Sequence, residues 1–154
     1  MIKLSKLSDY GVMLMTELAR RHGQGSLTAR DLAGELALPQ PTVSKLLKLL
    51  AKSDLLDSQR GVKGGYSLAR DPETIDLAEI LAALEGPVSM TACVDGDCAH
   101  LNSCNARSSW HWINQRVIEA LREVTLADMG GSPTMNPVRS HGKTSAVHLE
   151  IEGR

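Results

Sequence analysis

Aromatic residues are nearly absent from this chain of 154 residues, which has two Trp, two Tyr and no Phe. A hydrophobic core must therefore be built from Leu, Val, Ile, Ala and Met. Long apolar runs are also missing, and none approaches the roughly 20 residues that a membrane-spanning helix needs. The first residues lack the apolar core of a secretory signal peptide. We therefore expect a cytoplasmic protein with no membrane partner.

Cysteine is scarce and clustered, because the three cysteines are Cys93, Cys98 and Cys104. An odd number of thiols in a reducing compartment argues against a disulfide framework. Clustered thiols more often bind a metal or respond to oxidation. Catalytic patterns are missing as well: no nucleophile–base pair, phosphate loop or carboxylate pair with a cleft can be recognised. We expect neither an enzyme nor a small-molecule substrate.

Charge is divided unevenly along the chain, although the formal net charge is only −1. Residues 1–70 contain 11 Lys and Arg against 6 Asp and Glu, whereas residues 71–154 contain 6 against 12. The basic first half is suited to neutralising the phosphates of DNA. Hydrophobic residues make up 42% and charged residues 23% of the chain, which is the balance of a folded globular protein.

Three helices are predicted in the first half of the chain. Apolar residues at helical spacing indicate a helix over residues 8–21. Thr28 can cap a short helix over residues 29–36, and Pro41 suits the first turn of a third helix over residues 41–53. Two short helices joined by a tight turn form a helix-turn-helix, whose second helix enters the major groove of DNA.

A β-hairpin wing is predicted to follow. Strand-like residues 55–58 and 66–69 flank a basic, glycine-rich tip at residues 59–65. Arg60 at this tip is suited to a narrow minor groove, and Lys63 is suited to phosphates. A solvated glycine turn is the alternative interpretation.

The predicted DNA-binding surface combines the wing with exposed positions early in the second helix of the helix-turn-helix. For any single residue on that helix, a solvated face is the alternative. The predicted contacts are Thr28, Gln40, Pro41, Thr42, Ser44, Lys45, Lys48, Arg60 and Lys63.

The second half of the chain is predicted to contain a helix over residues 77–85 and another from residue 105. Apolar residues of the last helix recur at steps of 3, 4, 4 and 3, as in a helix that packs on another helix. We predict a homodimer through this seam, with packing against its own domain as the alternative. The seam residues are Trp110, Ile113, Val117, Leu121 and Val124.

These elements predict a mainly α fold: a winged helix-turn-helix domain with a small β-hairpin wing and a long C-terminal dimerisation helix. The predicted regions are a DNA-binding domain (1–86), a cysteine loop (87–104), the dimerisation helix (105–128) and a disordered tail (129–154). Residues 151–154 resemble a protease-recognition linker and are left out of functional reasoning.

The cysteine spacing is C-x4-C-x5-C, which differs from the paired CxxC of a structural zinc site. Three thiolates leave a fourth ligand position to be filled from elsewhere, as in a labile iron–sulfur cluster or an open metal site. Reversible thiol oxidation is the main alternative. Three unconnected buried cysteines would be the remaining interpretation.

These features resemble the bacterial winged-helix iron–sulfur regulator family that includes IscR, NsrR and RirA. The resemblance rests on residues 4–10 (LSKLSDY), on residues 60–70 of the wing (RGVKGGYSLAR), and on the cysteine loop with the helix after it. It covers roughly residues 1–128. Patterns within residues 104–129 are most similar to regulators of the SUF iron–sulfur assembly operon.

The resemblance implies a homodimer that binds a palindromic operator in double-stranded DNA. It implies that Cys93, Cys98 and Cys104 hold an iron–sulfur cluster, with 2Fe–2S favoured over 4Fe–4S, near the dimerisation helix. It also implies that Arg60 enters the minor groove. Cluster presence would then set how the two winged helices sit on the operator.

Two features depart from the family pattern. IscR-type members have a His three residues after the last Cys, where this chain has Arg107, and their first cysteine gap is one residue longer. Nitric-oxide-sensing members use an N-terminal Asp from the second subunit, and Asp9 stands at the matching place. Asp9 is therefore the first candidate for a fourth ligand and His100 the second, although Asp9 could also be a plain helix cap.

The function predicted is a dimeric transcription repressor that senses iron–sulfur status, redox stress or nitric oxide and controls iron–sulfur assembly genes. One alternative is a cluster-free thiol or zinc sensor with the same fold. Another is an iron–sulfur carrier that binds no DNA, which the basic wing disfavours.

Overall fold

A computed structural model describes residues 4–61, 64–100 and 103–131. The fold is mainly helical with one two-stranded antiparallel sheet, which confirms the predicted fold class. Lys63 and residues 132–154 of the predicted tail lie outside the described residues. Within the described part, no helix is long and apolar enough to cross a membrane. The helices are α1 (Lys6–Arg20), α2 (Ala29–Glu35), α3 (Gln40–Lys52), α4 (Leu77–Glu85), α5 (Ala92–Asp95), α6 (Arg107–Arg122) and α7 (Leu126–Gly130).

The helix-turn-helix forms as predicted from α2 and α3, which pack against each other. The Thr28 hydroxyl accepts from the Asp31 backbone N–H at 3.2 Å, and Asp31 in turn accepts from the Thr28 backbone N–H at 3.3 Å, which is a capping box. Ala37 in the turn has a φ of 51°, a left-handed conformation that lets the chain reverse before α3. The apolar face of α3 is fully buried, as its spacing predicts, through Val43, Leu46, Leu47 and Leu50.

The wing consists of β1 (Leu56–Gln59) and β2 (Gly65–Leu68), paired in antiparallel register with Leu56 opposite Leu68. Leu27 adds a third, single-residue partner, because its backbone donates to and accepts from Tyr66 at 2.9 and 2.8 Å. This bridge attaches the wing to the residue that precedes the cap of α2. The wing and the helix-turn-helix are therefore held together by backbone hydrogen bonds as well as by the core.

Helix α4 connects the DNA-binding elements to the rest of the chain. A 3₁₀ turn (Pro72–Thr74) precedes it, and Asp76 caps it in a second capping box with Glu79. Its apolar residues pack against both α1 and α3. Ile80 is fully buried there, so α4 belongs to the same core as the recognition helix.

The dimerisation helix predicted over residues 105–128 is wrong in extent, because the structure contains two helices there. Helix α6 ends at Arg122, and α7 starts after Thr125, which caps it in a capping box with Asp128. At the first residue of α7, the Leu126 N–H donates to the Ile75 carbonyl at 2.8 Å. Helix α7 packs on α1 and on the 3₁₀ turn, so residues 126–130 return to the winged-helix core.

The predicted cysteine loop also contains some regular structure. Residues 92–95 form the one-turn helix α5, which ends at Gly96 and packs against α6. The absence of periodicity in the sequence did not reveal so short a helix.

Candidate DNA-binding surface and cysteine segment

The N-terminal end of α3 presents the residues expected to read DNA. Gln40, Pro41, Lys45 and Lys48 are exposed, and Thr42 and Ser44 are half-buried. The first turn of α3 has no acidic residue and no side-chain cap, so its positive dipole end remains open to a phosphate. The helix can therefore present its dipole end and its side chains to DNA, whereas the Thr42 and Val43 N–H groups already donate to the Pro39 carbonyl at 3.0 and 3.1 Å. The individual contacts stay predictions.

Thr28 differs from the other predicted contacts because its side chain is already used. Its hydroxyl donates to the Asp31 carboxylate at 2.6 Å while it caps α2. These hydrogen bonds, with the Thr28 hydroxyl as the largest contribution, lower the pKa of the Asp31 carboxyl. A DNA contact by Thr28 would have to be made without loss of this cap, and it remains a prediction.

The wing tip presents Arg60 to solvent directly before Gly61, whose φ of 112° makes the turn possible. Gly65, at the start of β2, lies so close to the Leu27 bridge that a Cβ would be 2.7 Å from the Leu27 carbonyl oxygen. Glycine is therefore required at position 65 to keep the wing against α2. The close contact with Leu27, in addition to the pairing of β1 with β2, therefore sets the orientation of the wing relative to α2.

The cations of this surface are not neutralised by the protein. Among the described residues, Lys45, Lys48 and Arg60 form no ion pair, whereas Arg70 is paired with both carboxylate oxygens of Glu79 at 3.1 and 3.2 Å. Unpaired surface cations leave a positive potential for an anionic partner. The surface thus has the electrostatic character that phosphate binding needs.

The cysteine segment (residues 87–104) runs from the end of α4 to the start of α6. All three cysteines are free thiols, with Cys93 buried and Cys98 and Cys104 half-buried. The Cys93 sulfur is 3.0 Å from the Thr91 hydroxyl oxygen. Cys104 lies at the turn that starts α6, because its carbonyl accepts from the Arg107 N–H at 3.3 Å.

Asn114 on α6 holds the beginning of this segment. Its side chain accepts from the Met90 N–H at 2.9 Å and donates to the Val88 carbonyl at 3.2 Å, and only 2% of the residue is exposed. Loss of a buried pairing of this kind costs about 1–3 kcal/mol for each group left unsatisfied. One face of α6 is therefore fastened to the residues that lead into α5.

One polar atom of α6 lacks a partner. His111 lies three residues before Asn114 and so on the same face of the helix. Its Nε2 is buried and has no hydrogen-bond partner in the described part of the chain. A buried imidazole nitrogen normally accepts or donates one hydrogen bond or binds a metal.

The donor chemistry of the segment fits a thiophilic metal or an iron–sulfur cluster. Three free thiols are the ligand type that such groups take. In residues 4–61, 64–100 and 103–131, however, no group of three or more His, Cys, Asp or Glu side chains is already arranged to hold a metal ion. The ligands would therefore have to come together as the group binds, as is common for metal sites.

The two residues expected as a fourth ligand are both exposed. Asp9 lies in the first turn of α1, and His100 lies in the turn after α5. No described contact joins Asp9 to the cysteine segment within one chain, and its expected role requires a second subunit. Both assignments stay predictions.

The end of α4, directly before the segment, is tied to α1. The hydroxyls of Ser5 and Ser8 both donate to one carboxylate oxygen of Glu85, the last residue of α4. These two hydrogen bonds, that of Ser5 first, hold the pKa of the Glu85 carboxyl below its usual value. Ser8 is fully buried, so this junction joins α1 to the residue directly before Gly86.

The expected dimerisation seam is incompletely covered in the single chain. Trp110 is 38% exposed, and Ile113, Val117 and Leu121 are only half-buried. Val124 is exposed but lies beyond the end of α6. The seam therefore remains available to a second helix, although it is shorter than predicted.

Sequence reasoning missed a second exposed aromatic residue beside this seam. Trp112 is 63% exposed, and the Arg116 guanidinium carbon is 5.6 Å from the centre of its ring. Its position off the apolar repeat concealed it, although a Trp on a polar helix face is an unusual signal. Asn114 and Glu85 carried no signal of these contacts, because in the sequence they resemble ordinary solvated residues.

Three comparisons with known proteins agree on the family. A family profile described as "Rrf2: Iron-dependent Transcriptional regulator" matches residues 4–131. An HTH-type transcriptional regulator of Synechocystis is 33% identical over 128 residues, covering 83% of this chain and 87% of that protein.

Solved structures show the same similarity. CymR of B. subtilis, described as the global cysteine regulator, is 31% identical with a TM-score of 0.70, covering 84% of this chain and 97% of that one. IscR of T. potens is 32% identical with a TM-score of 0.65, covering 83% of this chain and 85% of that one.

Proposed function

Because the chain belongs to the Rrf2 family of DNA-binding transcriptional regulators, we propose that it is a repressor that senses iron–sulfur or redox status and controls genes of iron–sulfur cluster assembly. The observation that carries this proposal is the cysteine segment, whose three free thiols lie between α4 and α6. The description of the family profile as iron-dependent supports it. The protein acts in this proposal by binding and not by catalysis.

In this proposal, Cys93, Cys98 and Cys104 hold the iron–sulfur group, in the 2Fe–2S form. A bound cluster supplies a redox-active centre that oxidants, nitric oxide or iron shortage can change or remove. Cys98 and Cys104 keep the site within reach of solvent, because both are only half-buried. Asp9 remains the candidate fourth ligand that the family resemblance supplies.

Two copies of the chain bind one operator in this proposal. The exposed seam of α6 pairs with the same seam of a second copy, and each copy places α3 in a major groove. Arg60 at each wing tip reaches the adjacent minor groove. A palindromic operator is expected, because it repeats the two-fold symmetry of such a dimer.

The sensing part of the proposal is tested on protein purified without oxygen. Wild-type protein is expected to be brown, with iron and sulfide in near-equal amounts and a visible sulfur-to-iron absorption. Cys93→Ala should abolish that absorption, and Cys104→Ser provides a second variant at a less buried position. Ser103→Ala is the matched control, because it changes an exposed neighbour and removes no thiol. An unchanged spectrum in both cysteine variants would contradict the ligand assignment.

The control of assembly genes is tested by binding to their promoter. Wild-type protein is expected to shift a DNA fragment from the promoter of an iron–sulfur assembly operon, with an affinity that differs between cluster-loaded and cluster-free protein. Equal affinity of both forms would refute cluster sensing. Bound zinc, or an affinity that responds only to thiol oxidants, would favour the cluster-free thiol or zinc sensor.

A further inference from the structure

We propose that Asn114 is the positioning residue through which the cysteine segment acts on α6, and through α6 on DNA binding. This role rests on the proposed function, because it names the residue that transmits the state of the cysteines to the rest of the chain. It does not depend on which group the cysteines hold. Asn114 itself belongs neither to the thiols nor to the DNA-binding surface.

Asn114 makes the side-chain hydrogen bonds between α6 and the cysteine segment. Its Oδ1 accepts from the Met90 N–H at 2.9 Å, and its Nδ2 donates to the Val88 carbonyl at 3.2 Å. In residues 4–61, 64–100 and 103–131, no other side chain of α6 forms a hydrogen bond with another element. Because only 2% of Asn114 is exposed, separation of the segment from α6 would leave buried polar groups unpaired. The two elements are therefore expected to move together.

Cys93 is joined by further contacts to the residues that Asn114 holds. The Cys93 sulfur lies 3.0 Å from the Thr91 hydroxyl oxygen, and the Thr91 carbonyl accepts from the Ser89 hydroxyl at 3.0 Å. These contacts brace the chain at the start of α5, which itself packs against α6. Cys93 is buried, so a group attached to its sulfur must displace its surroundings. That displacement reaches Met90, and with it Asn114.

The C-terminal end of α6 is fixed to the winged-helix core. The Val124 carbonyl, just beyond α6, accepts from the Leu77 N–H at 3.0 Å, and Thr125 pairs with Asp76 in a backbone bridge. Asn114 lies ten residues before Val124, on the order of 15 Å along a helix. A displacement at Asn114 therefore turns α6 about its C-terminal end.

The effect on DNA binding follows from the elements that α6 contacts. Helix α6 packs on α4, which shares its core with the recognition helix α3. In two copies paired through α6, a turn of α6 changes the distance between the two recognition helices and leaves each of them unchanged. Loss of Asn114 should therefore remove the effect of the cysteines on DNA affinity while the cysteines and the DNA-binding surface remain.

The test compares two states of the cysteines in the full chain. One comparison is between cluster-free protein and protein reconstituted with ferrous iron and sulfide without oxygen. The other is between reduced protein before and after alkylation with iodoacetamide, whose thiol targets all lie in the cysteine segment because the chain has no other cysteine. Affinity for the promoter fragment is measured by fluorescence anisotropy in each state, well below the unfolding temperature.

The variants are Asn114→Ala, which removes both hydrogen bonds, and Asn114→Asp, which keeps an acceptor for the Met90 N–H. Gln115→Ala is the matched control, because it removes an exposed amide at the next position of α6. In the wild type, the two states should differ in affinity by about 5–150-fold, the usual range for coupled sites. Asn114→Ala should bring this ratio to within about twofold of one, which is below that range. Asn114→Asp should retain part of the ratio, and Gln115→Ala should match the wild type.

A purely structural role of Asn114 would give a different result. Destabilisation of the fold lowers the affinity of both states by the same factor and leaves their ratio unchanged. Hydrogen exchange of the Met90 amide in cluster-free protein tests the link itself. Exchange should be slow in the wild type and in Gln115→Ala, and faster by about tenfold or more in Asn114→Ala, because a protecting acceptor is lost.

Three outcomes would overturn the role of Asn114: a wild-type affinity ratio in Asn114→Ala, an equal loss of the ratio in Gln115→Ala, or a Met90 amide that exchanges equally fast in the wild type and in Asn114→Ala. Wild-type protein that takes up no iron and sulfide, but changes its DNA affinity on alkylation, would refute the proposed cluster sensing. The alkylation ratio of Asn114→Ala would then still decide the role of Asn114. A wild-type affinity that responds to neither treatment would refute both.

Discussion

Leu126 provides the sharpest test of how the C-terminal part of the chain is built. The sequence pattern placed it inside a dimerisation helix, whereas the structure places it in the first turn of α7, with no exposed surface. It packs in the same core as Leu14 of α1 and Ile75. Leu126→Ala therefore removes buried side-chain carbons from the winged-helix core of a single chain.

The expected loss can be derived from this burial. Transfer of a fully buried leucine side chain to water costs roughly 2–3 kcal/mol, and the cavity left behind raises the total to about 3–5 kcal/mol. For a domain of this size, each kcal/mol lowers the unfolding temperature by about 2–4 °C. We therefore expect Leu126→Ala to lower that temperature by on the order of 10 °C.

Leu4→Ala is the matched control, because the same side chain is shortened at a residue that is 53% exposed. It should change the free energy of unfolding by less than about 0.5 kcal/mol. Both variants are compared by urea and thermal unfolding at two protein concentrations. A cost for Leu126→Ala no larger than that of the control, or one that appears only at the concentration where dimers form, would refute the placement of α7 in the core.

Three further predictions concern the wing and the α1–α4 junction. Arg60→Ala should weaken binding to the promoter fragment by about 1–3 kcal/mol without changing the unfolding temperature, and equal affinity in fluorescence anisotropy would count against wing contact. Gly65→Ala should cost about 1–3 kcal/mol of stability, because its Cβ would be 2.7 Å from the Leu27 carbonyl oxygen, and wild-type urea unfolding would contradict that. Glu85 has a lowered pKa, so its contribution to stability is present above the ordinary glutamate pKa and is lost as the pH falls through the folded value. Glu85→Gln should flatten this part of the stability–pH profile. A profile of unchanged shape would show that the hydrogen bonds from Ser5 and Ser8 are not the cause of the pH dependence.

The helix-turn-helix was predictable because its signals are local. Thr28 at the start of α2 and Pro41 in the first turn of α3 act within a few residues of themselves. The apolar period of α3 matches its buried face, since burial on one side of a helix leaves that repeat in the sequence. Local signals of this kind predict where a helix lies in the sequence, but they do not predict which other element it packs against.

The break between α6 and α7 shows two local signals in conflict. The apolar repeat continues to Val124 and favours one helix, while Thr125 and Asp128 have the spacing of a capping box and favour a new start. The structure follows the capping box. Backbone pairing of Thr125 with Asp76, which lies 49 residues earlier in the chain, supports that start, and no local pattern could reveal it.

The clustering of the cysteines in the sequence makes them the candidate ligands, and their role stays a prediction. The residues that support the segment could not be predicted from the sequence. Asn114 and His111 look like polar residues on a solvated helix, and only the packing of α5 and α6 shows that they face inward. Glu85 likewise gains its role from two serines that are at least 77 residues away in the chain. Long-range polar contacts leave no periodic trace in a sequence.

These supports restrict how the cysteine segment can influence DNA binding. The recognition helix, its cap at Thr28 and the wing bridge at Leu27 are held by a fully buried core and by backbone pairing, so each winged helix should move as a rigid body. The segment, in contrast, leaves α4 directly after Glu85, is bonded to α6 through Asn114 near its beginning, and continues into α6 at its end. A rearrangement of the segment therefore acts on the position of α6 relative to α4. If two copies pair through α6, that displacement changes the distance between the two recognition helices and leaves each helix unchanged. Binding to the operator would then depend on that distance and not on a change in the DNA-contacting surface of either copy.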